Sequence, residues 1–178
     1  LASRTRDGAA KVFDSGRLSK GAREIDVPLD GARTVFLVVN DQGDGNSHDW
    51  ASFGDLRLVG PGGELALGAR PFLRASTGWG ELGRDRNAGG GPIAIDGVPF
   101  ASGLGAHAPA EIAIQVPPGF ERLRAIVGPD DGGTTQSGAR TSLSIEVWLG
   151  KPPDRSAFDA ARATLLDAAR SLEERIAA

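Results

Sequence analysis

Across the first 151 residues no apolar run is longer than a β-strand, and glycine, aspartate or proline interrupts the chain between runs. The runs fall at 10–13, 24–27, 34–40, 56–59, 65–67, 93–95, 111–116, 122–127 and 142–149. Several alternate. In Ile112-Ala113-Ile114-Gln115-Val116 and Leu143-Ser144-Ile145-Glu146-Val147 every second side chain is a large apolar one, as a half-buried strand requires. Residues 34–39 are apolar almost throughout, which suits a central strand covered on both faces. Many short strands separated by turn signals predict a mostly β chain, a two-sheet antiparallel β-sandwich of jelly-roll type, rather than alternating strands and helices. Residues 34–40 and 122–127 are expected as central strands of one sandwich, because neither half of the chain has enough strands to bury itself.

Composition removes several function classes. A net charge of −3 argues against nucleic acid or an anionic membrane surface as a partner, since both reward a basic face. With no cysteine there are no disulfides, thiolate nucleophiles or cysteine-ligated metals. No apolar stretch approaches a membrane span, and Leu1 opens no signal-peptide pattern, so a targeting segment is expected outside this stretch.

After Lys151-Pro152-Pro153 the pattern changes. Residues 155–178 contain no glycine or proline and are rich in alanine and leucine. Ser156 is placed to cap a helix, with Asp159 favouring its N-terminal dipole. Phe158, Leu165, Ala169, Leu172 and Ile176 fall on one stripe at helical spacing. The expected organisation is a β-sandwich over 1–151 and a C-terminal helix over 155–178. That helix docks on the sandwich or begins a neighbouring domain; self-association as a coiled coil is the alternative.

Several glycine-framed motifs carry a resemblance. Gly78-Trp79-Gly80 is followed by Gly91-Pro92-Ile93 and by Phe100-Ala101-Ser102-Gly103-Leu104-Gly105-Ala106-His107-Ala108. Glu111-Ile112 and a VGPDD turn at 127–131 come next. This part resembles the first half of the NPCBM family, a β-sandwich carbohydrate-binding module attached to many bacterial glycosidases. Residues 7–58 resemble its second half, through the hairpin motif at 7–16, Gly31-Ala32-Arg33-Thr34-Val35 and the D-x-G-D-G loop at 41–45. The closing segment is only partly kept: Asp49 and Asp55 match its ends, but Trp50 stands at its histidine position and Phe53 at its tryptophan position. The family's second half precedes its first half here. That order implies a circular permutant of one sandwich, with 60–74 joining the family's old ends, or a stretch cutting across two neighbouring copies. The permutant is expected, since each half alone would leave an unpaired edge and an uncovered apolar face.

The resemblance implies a non-catalytic, lectin-like module for terminal sugars, galactose-type among them, within a larger secreted or periplasmic bacterial protein. Its partners would be a glycan and neighbouring domains. A structural or protein-interaction sandwich that has lost sugar binding is the alternative, and Trp50 and Phe53 favour it. Among the residues themselves, Trp79 between glycines can expose an indole face to a sugar ring or act as a lid on the core. His107, read as lying in a loop after Gly105, can offer one ring nitrogen to a hydroxyl while backbone holds the other, or be wholly satisfied by backbone. Trp50 and Asp49 join this ligand-facing set through the resemblance, while Trp148 is assigned to packing. Asp41, Asp44 and Asp49 place oxygen donors within ten residues, as a calcium loop does, although Asx turns that bond their own backbone look alike.

Enzymatic readings find little support. Ser102, His107 and Asp96 could be drawn as a triad, but no G-x-S-x-G frames a serine. His48 and His107 are too few for a zinc site without cysteines, and the glycines at 89–91 lack the Lys-Ser/Thr of a phosphate loop.

Overall fold

The computed structural model describes residues 3–4, 8–68 and 70–152; the expected helix over 155–178 lies outside the described residues. In chain order the strands are β1 (Ser3–Arg4), β2 (Ala10–Asp14), β3 (Arg23–Pro28), β4 (Thr34–Asn40), β5 (Trp50–Gly60), β6 (Gly63–Ala66) and β7 (Arg74–Ser76). They continue with β8 (Gly83–Arg84), β9 (Ile93–Ile95), β10 (Val98–Phe100), β11 (Gly103–His107), β12 (Ala110–Gln115) and β13 (Arg122–Pro129). A single helical turn, α1 (Asp131–Thr134), precedes β14 (Ser144–Leu149).

Two antiparallel sheets pack face to face. The first has the order β1-β2-β14-β4-β12-β7 and the second β3-β13-β5-β11-β8. Strand β5 is long enough to take two neighbours on one side: β11 pairs with its first half and β6 with its second. Strands β9 and β10 form a separate hairpin. Both halves of the chain supply strands to both sheets, so neither half stands alone, and β4 and β13 are interior strands as their sequences predict.

Alternation decides which side chains meet between the sheets. Val35, Leu37 and Val39 of β4, Ile112 and Ile114 of β12, and Ile145 and Val147 of β14 face Ile25, Leu123, Val127, Phe53 and Leu58 in one shared core. Strand β5 keeps its apolar residues inward through a bulge. Its partner β13 advances from Arg124 to Ile126 while β5 goes from Arg57 to Gly54, and Asp55 takes up the extra residue at φ 50°. Without that residue either Phe53 or Leu56 and Leu58 would point out of the core.

The sequence-based reading differs from this fold in several places: the short strands β1, β7, β8 and β10 match none of the expected runs. β5 begins at Trp50 rather than at residue 56, and Gly103–His107 is a strand rather than a loop. The run expected at 65–67 overlaps β6, which continues β5 as a hairpin within the 60–74 join.

Candidate functional site

One end of the second sheet gathers most of the residues singled out by sequence. Trp50 and His107 are direct register partners across β5 and β11, so their side chains share a face. Ala51, Phe53, Leu104 and Ala106 belong to the core, so Trp50 and His107 project from the opposite, outer face.

His107 closes β11, and glycines on either side of Leu104 let that strand carry a cover. The backbone of Asn87 and Ala88 lies flush on Gly105, where a Cβ would stand 2.5 Å from the Asn87 Cα. A motif that reads as a flexible loop is thus a strand with its outer face pared down for close packing.

The tryptophan turn is clipped onto the end of β11. The His107 amide donates to Thr77 Oγ1 at 2.9 Å, the Thr77 hydroxyl donates to the His107 carbonyl at 3.0 Å, and the Gly78 amide donates to the same carbonyl at 2.9 Å. These bonds raise Trp79 over the histidine. The two rings are tilted by 57° with centroids 6.0 Å apart. Trp79 remains 59% exposed, whereas His107 is buried beneath it. His107 Nδ1 lies 2.8 Å from the Ala108 carbonyl, which only accepts, so Nδ1 carries the proton. In the neutral ring Nε2 is then an acceptor, and no hydrogen bond from a described residue occupies it.

Trp50 is half-buried at the same end, its ring against the loop that covers β11. A Cβ on Gly89 would stand 2.4 Å from Trp50 Cη2. That loop is held by a buried polar pair. Asp130 accepts from Asn87 Nδ2 at 2.9 Å, from Ser52 Oγ at 2.6 Å and from the Gly132 amide at 2.9 Å. Asn87 Oδ1 in turn accepts from the amides of Gly89 at 3.1 Å and Gly91 at 2.9 Å. Sequence reasoning missed Asn87, although an Asn just before the glycine run 89–91 is a turn signal that marks such a bond.

Asp49 departs from its expected place. It is fully buried, so it does not reach the rim where a ligand would lie. Its Oδ1 accepts from the Ser142 amide at 2.7 Å and its carbonyl accepts from the Ala108 amide at 2.9 Å, which ties the start of β5 to the approach of β14 and to the end of β11. Burial pushes its carboxyl up to about 6; the Ser142 N–H opposes the rise, and the charges of Asp44 and Asp41 add to it.

The three carboxylates of the calcium expectation each have a separate partner. Asp41 Oδ1 accepts from the Gly43 amide at 3.0 Å, an Asx turn, and Asp44 pairs with Arg17 at 2.7 Å, while Asp49 faces Ser142. Among the described residues no group of three or more His, Asp or Glu stands where it could hold a metal ion. The loop geometry is accounted for by those local bonds, together with the Asn46 amide nitrogen donating to the Ala108 carbonyl at 3.1 Å.

A family model described as NPCBM/NEW2 domain matches residues 5–59 and 63–176. No curated protein and no solved structure matches the chain.

Proposed function

The chain belongs to the NPCBM/NEW2 domain family, a family of carbohydrate-binding modules, and on that premise we propose that it is a non-catalytic module holding a terminal sugar between Trp79 and His107. The observation that carries this reading is the pairing of a 59% exposed indole with a histidine 6.0 Å away whose Nδ1 is fixed by backbone. A sugar presents an apolar C–H face and a polar hydroxyl edge. The indole of Trp79 suits the first, and Nε2 of His107 suits a hydroxyl of the second. Trp50, on the same face, walls the site beside the 87–91 loop.

The departures from the family pattern fit this reading unequally. Phe53 replaces a tryptophan inside the core, away from the rim, and leaves the site unchanged. Trp50 replaces a histidine beside His107, so it alters the shape of the wall. Galactose-type sugars are the first candidates through the family resemblance, and a larger secreted or periplasmic bacterial protein is the setting that follows from it. The same resemblance reads the chain as one circularly permuted sandwich. Register pairing of Leu149 with Ala10 supports this, because it brings the two ends of the sandwich side by side.

Titration of galactose and related monosaccharides against the whole chain, followed by calorimetry or NMR, tests the proposal. The site is open, so affinity for one sugar is expected in the millimolar to high-micromolar range, about 4–6 kcal/mol. Trp79→Ala should abolish it while unfolding free energy moves by less than about 0.5 kcal/mol, as for other exposed positions. If no sugar of the panel binds, the structural or protein-interaction reading replaces this one.

A further inference from the structure

The loop that joins β4 to β5 reaches the end of the sandwich where Trp79 stands over His107. It does so through Asn46, whose amide meets the Ala108 carbonyl at 3.1 Å. A carbonyl only accepts, so the amide nitrogen and not its oxygen faces it. The same carbonyl lies 2.8 Å from His107 Nδ1. Ala108 is fully buried, and among the described residues these two side chains are the only donors to its oxygen. Gly78 closes another side: a Cβ there would stand 2.2 Å from the Ala108 oxygen. The acidic loop, the end of β11 and the tryptophan turn therefore meet at one carbonyl. The loop presents Asn46 already fixed. Gln42 Nε2 donates to Ser144 Oγ at 2.7 Å, Asp44 pairs with Arg17 at 2.7 Å, and the Asn46 carbonyl accepts from the Asp49 amide at 3.1 Å.

We propose that Asn46 is a positioning residue for His107: its N–H keeps the Ala108 carbonyl turned to Nδ1, and so keeps Nε2 a bare acceptor. The use made of Nε2 rests on the sugar reading; the chain of hydrogen bonds does not. With the imidazole proton on Nε2 instead, the lone pairs of Nδ1 and of the carbonyl would face each other across 2.8 Å in a buried place. A carbonyl free to turn would relieve that conflict by turning away. Bound to Asn46 and backed by Gly78, it stays, and the proton is forced onto Nδ1. The residue type matters. A carboxylate at this position would offer the carbonyl only lone pairs, whereas the amide has the same shape and donates. An acceptor at Nε2 in turn selects a free hydroxyl, one with a proton to give. The loop that sequence reads as a calcium loop thereby sets the polarity of the histidine beneath Trp79.

Imidazole nitrogen-15 NMR of the full chain, without sugar and at a pH where both histidines are neutral, reads the tautomer directly. The chain has only two histidines, so His48→Asn assigns the signals. In the parent the His107 proton should sit on Nδ1. Asn46→Asp keeps the shape and Asn46→Ala keeps the net charge, and both remove the donor. Each should move the His107 tautomer ratio about fivefold towards Nε2–H, the worth of one hydrogen bond. Asp44→Asn, in the same loop, should leave it unchanged. Galactose affinity should fall in the two Asn46 variants, by no more than the same factor. Circular dichroism checks that each variant keeps its sheets; were Asn46→Ala to unfold, Asn46→Leu, neutral and close to asparagine in shape, takes its place. A tautomer shift in a chain that binds no sugar of the panel supports the proposal and removes the sugar reading. A ratio that the neutral variant leaves unchanged overturns the proposal, whether or not sugar binds. A shift in Asn46→Asp alone is an effect of added charge and overturns it too.

Discussion

Asp49 shows how a residue placed by sequence in a ligand or metal site can instead carry the frame beneath it. Burial disfavours the charged form of its carboxyl and pushes the pKa up to about 6, from an ordinary value of 3.8. Between those two values the folded state binds more protons than the unfolded one, so stability falls as pH rises from about 4 to about 6 and stays lower above. Asp49→Asn keeps an acceptor for the Ser142 amide and removes the charge. The variant is therefore expected to be more stable than the parent at pH 8, by about 1–3 kcal/mol, with the difference closing near pH 4. Urea unfolding at the two pH values measures it. A variant less stable than the parent at pH 8 would mean that the buried charge is itself stabilising. The same contrast separates the aromatic residues. Trp79 and Trp148 look alike in composition, yet one is exposed over His107 and the other is buried on the outer sheet face with its Nε1 donating to Glu146 at 2.7 Å.

At the scale of elements, β11 and the loop over it are the pieces that sequence patterns describe least well. Gly103–His107 has two glycines and an alanine among its five residues, so it lacks the alternation that marks a strand. The missing side chains are accounted for by what lies on top: the Asn87–Ala88 backbone on Gly105, and the Phe100 ring on Gly54 of the neighbouring strand, where a Cβ would stand 2.4 Å from Phe100 Cγ. Gly105→Ala drives its methyl into main chain rather than into a flexible side chain. It should cost about 1–3 kcal/mol and change the near-UV circular dichroism of Trp50, whose ring rests on the displaced loop. An unchanged unfolding midpoint would show that the 87–91 loop yields freely and is not a fixed wall of the site. Asp130→Ala removes the acceptor of the Ser52 hydroxyl and of one Asn87 N–H in the interior and should be costlier, about 2–4 kcal/mol, in the same unfolding measurement.

For the whole molecule, the order of its halves matters less than where they meet. Family-model matches to 5–59 and 63–176 meet at the turn between β5 and β6, and each sheet contains strands from both segments. If the chain is one permuted sandwich, a version re-ordered to run from residue 63 to 178, through a glycine–serine linker, and then from 1 to 62 should unfold in a single cooperative transition. Its Tm should fall only by the few degrees expected of a longer loop and new ends. Two transitions, or none, would mean that the segments do not form one permutable unit. Local pattern alone was enough for the fold class, for β4 and β13 as interior strands and for the Gly-Trp-Gly turn, because alternation, uniformly apolar runs and glycine punctuation are properties of neighbours in the chain. Tertiary structure decided what no neighbour specifies. It set Trp79 over His107 across 28 residues of sequence, buried Asp49 among β5, β11 and the approach to β14, and divided the acidic loop among an Asx turn, Arg17 and Ser142. The physical reason is that exposure, hydrogen-bond partners and charge environment depend on which strands pair, and in this chain those pairings join residues from opposite halves.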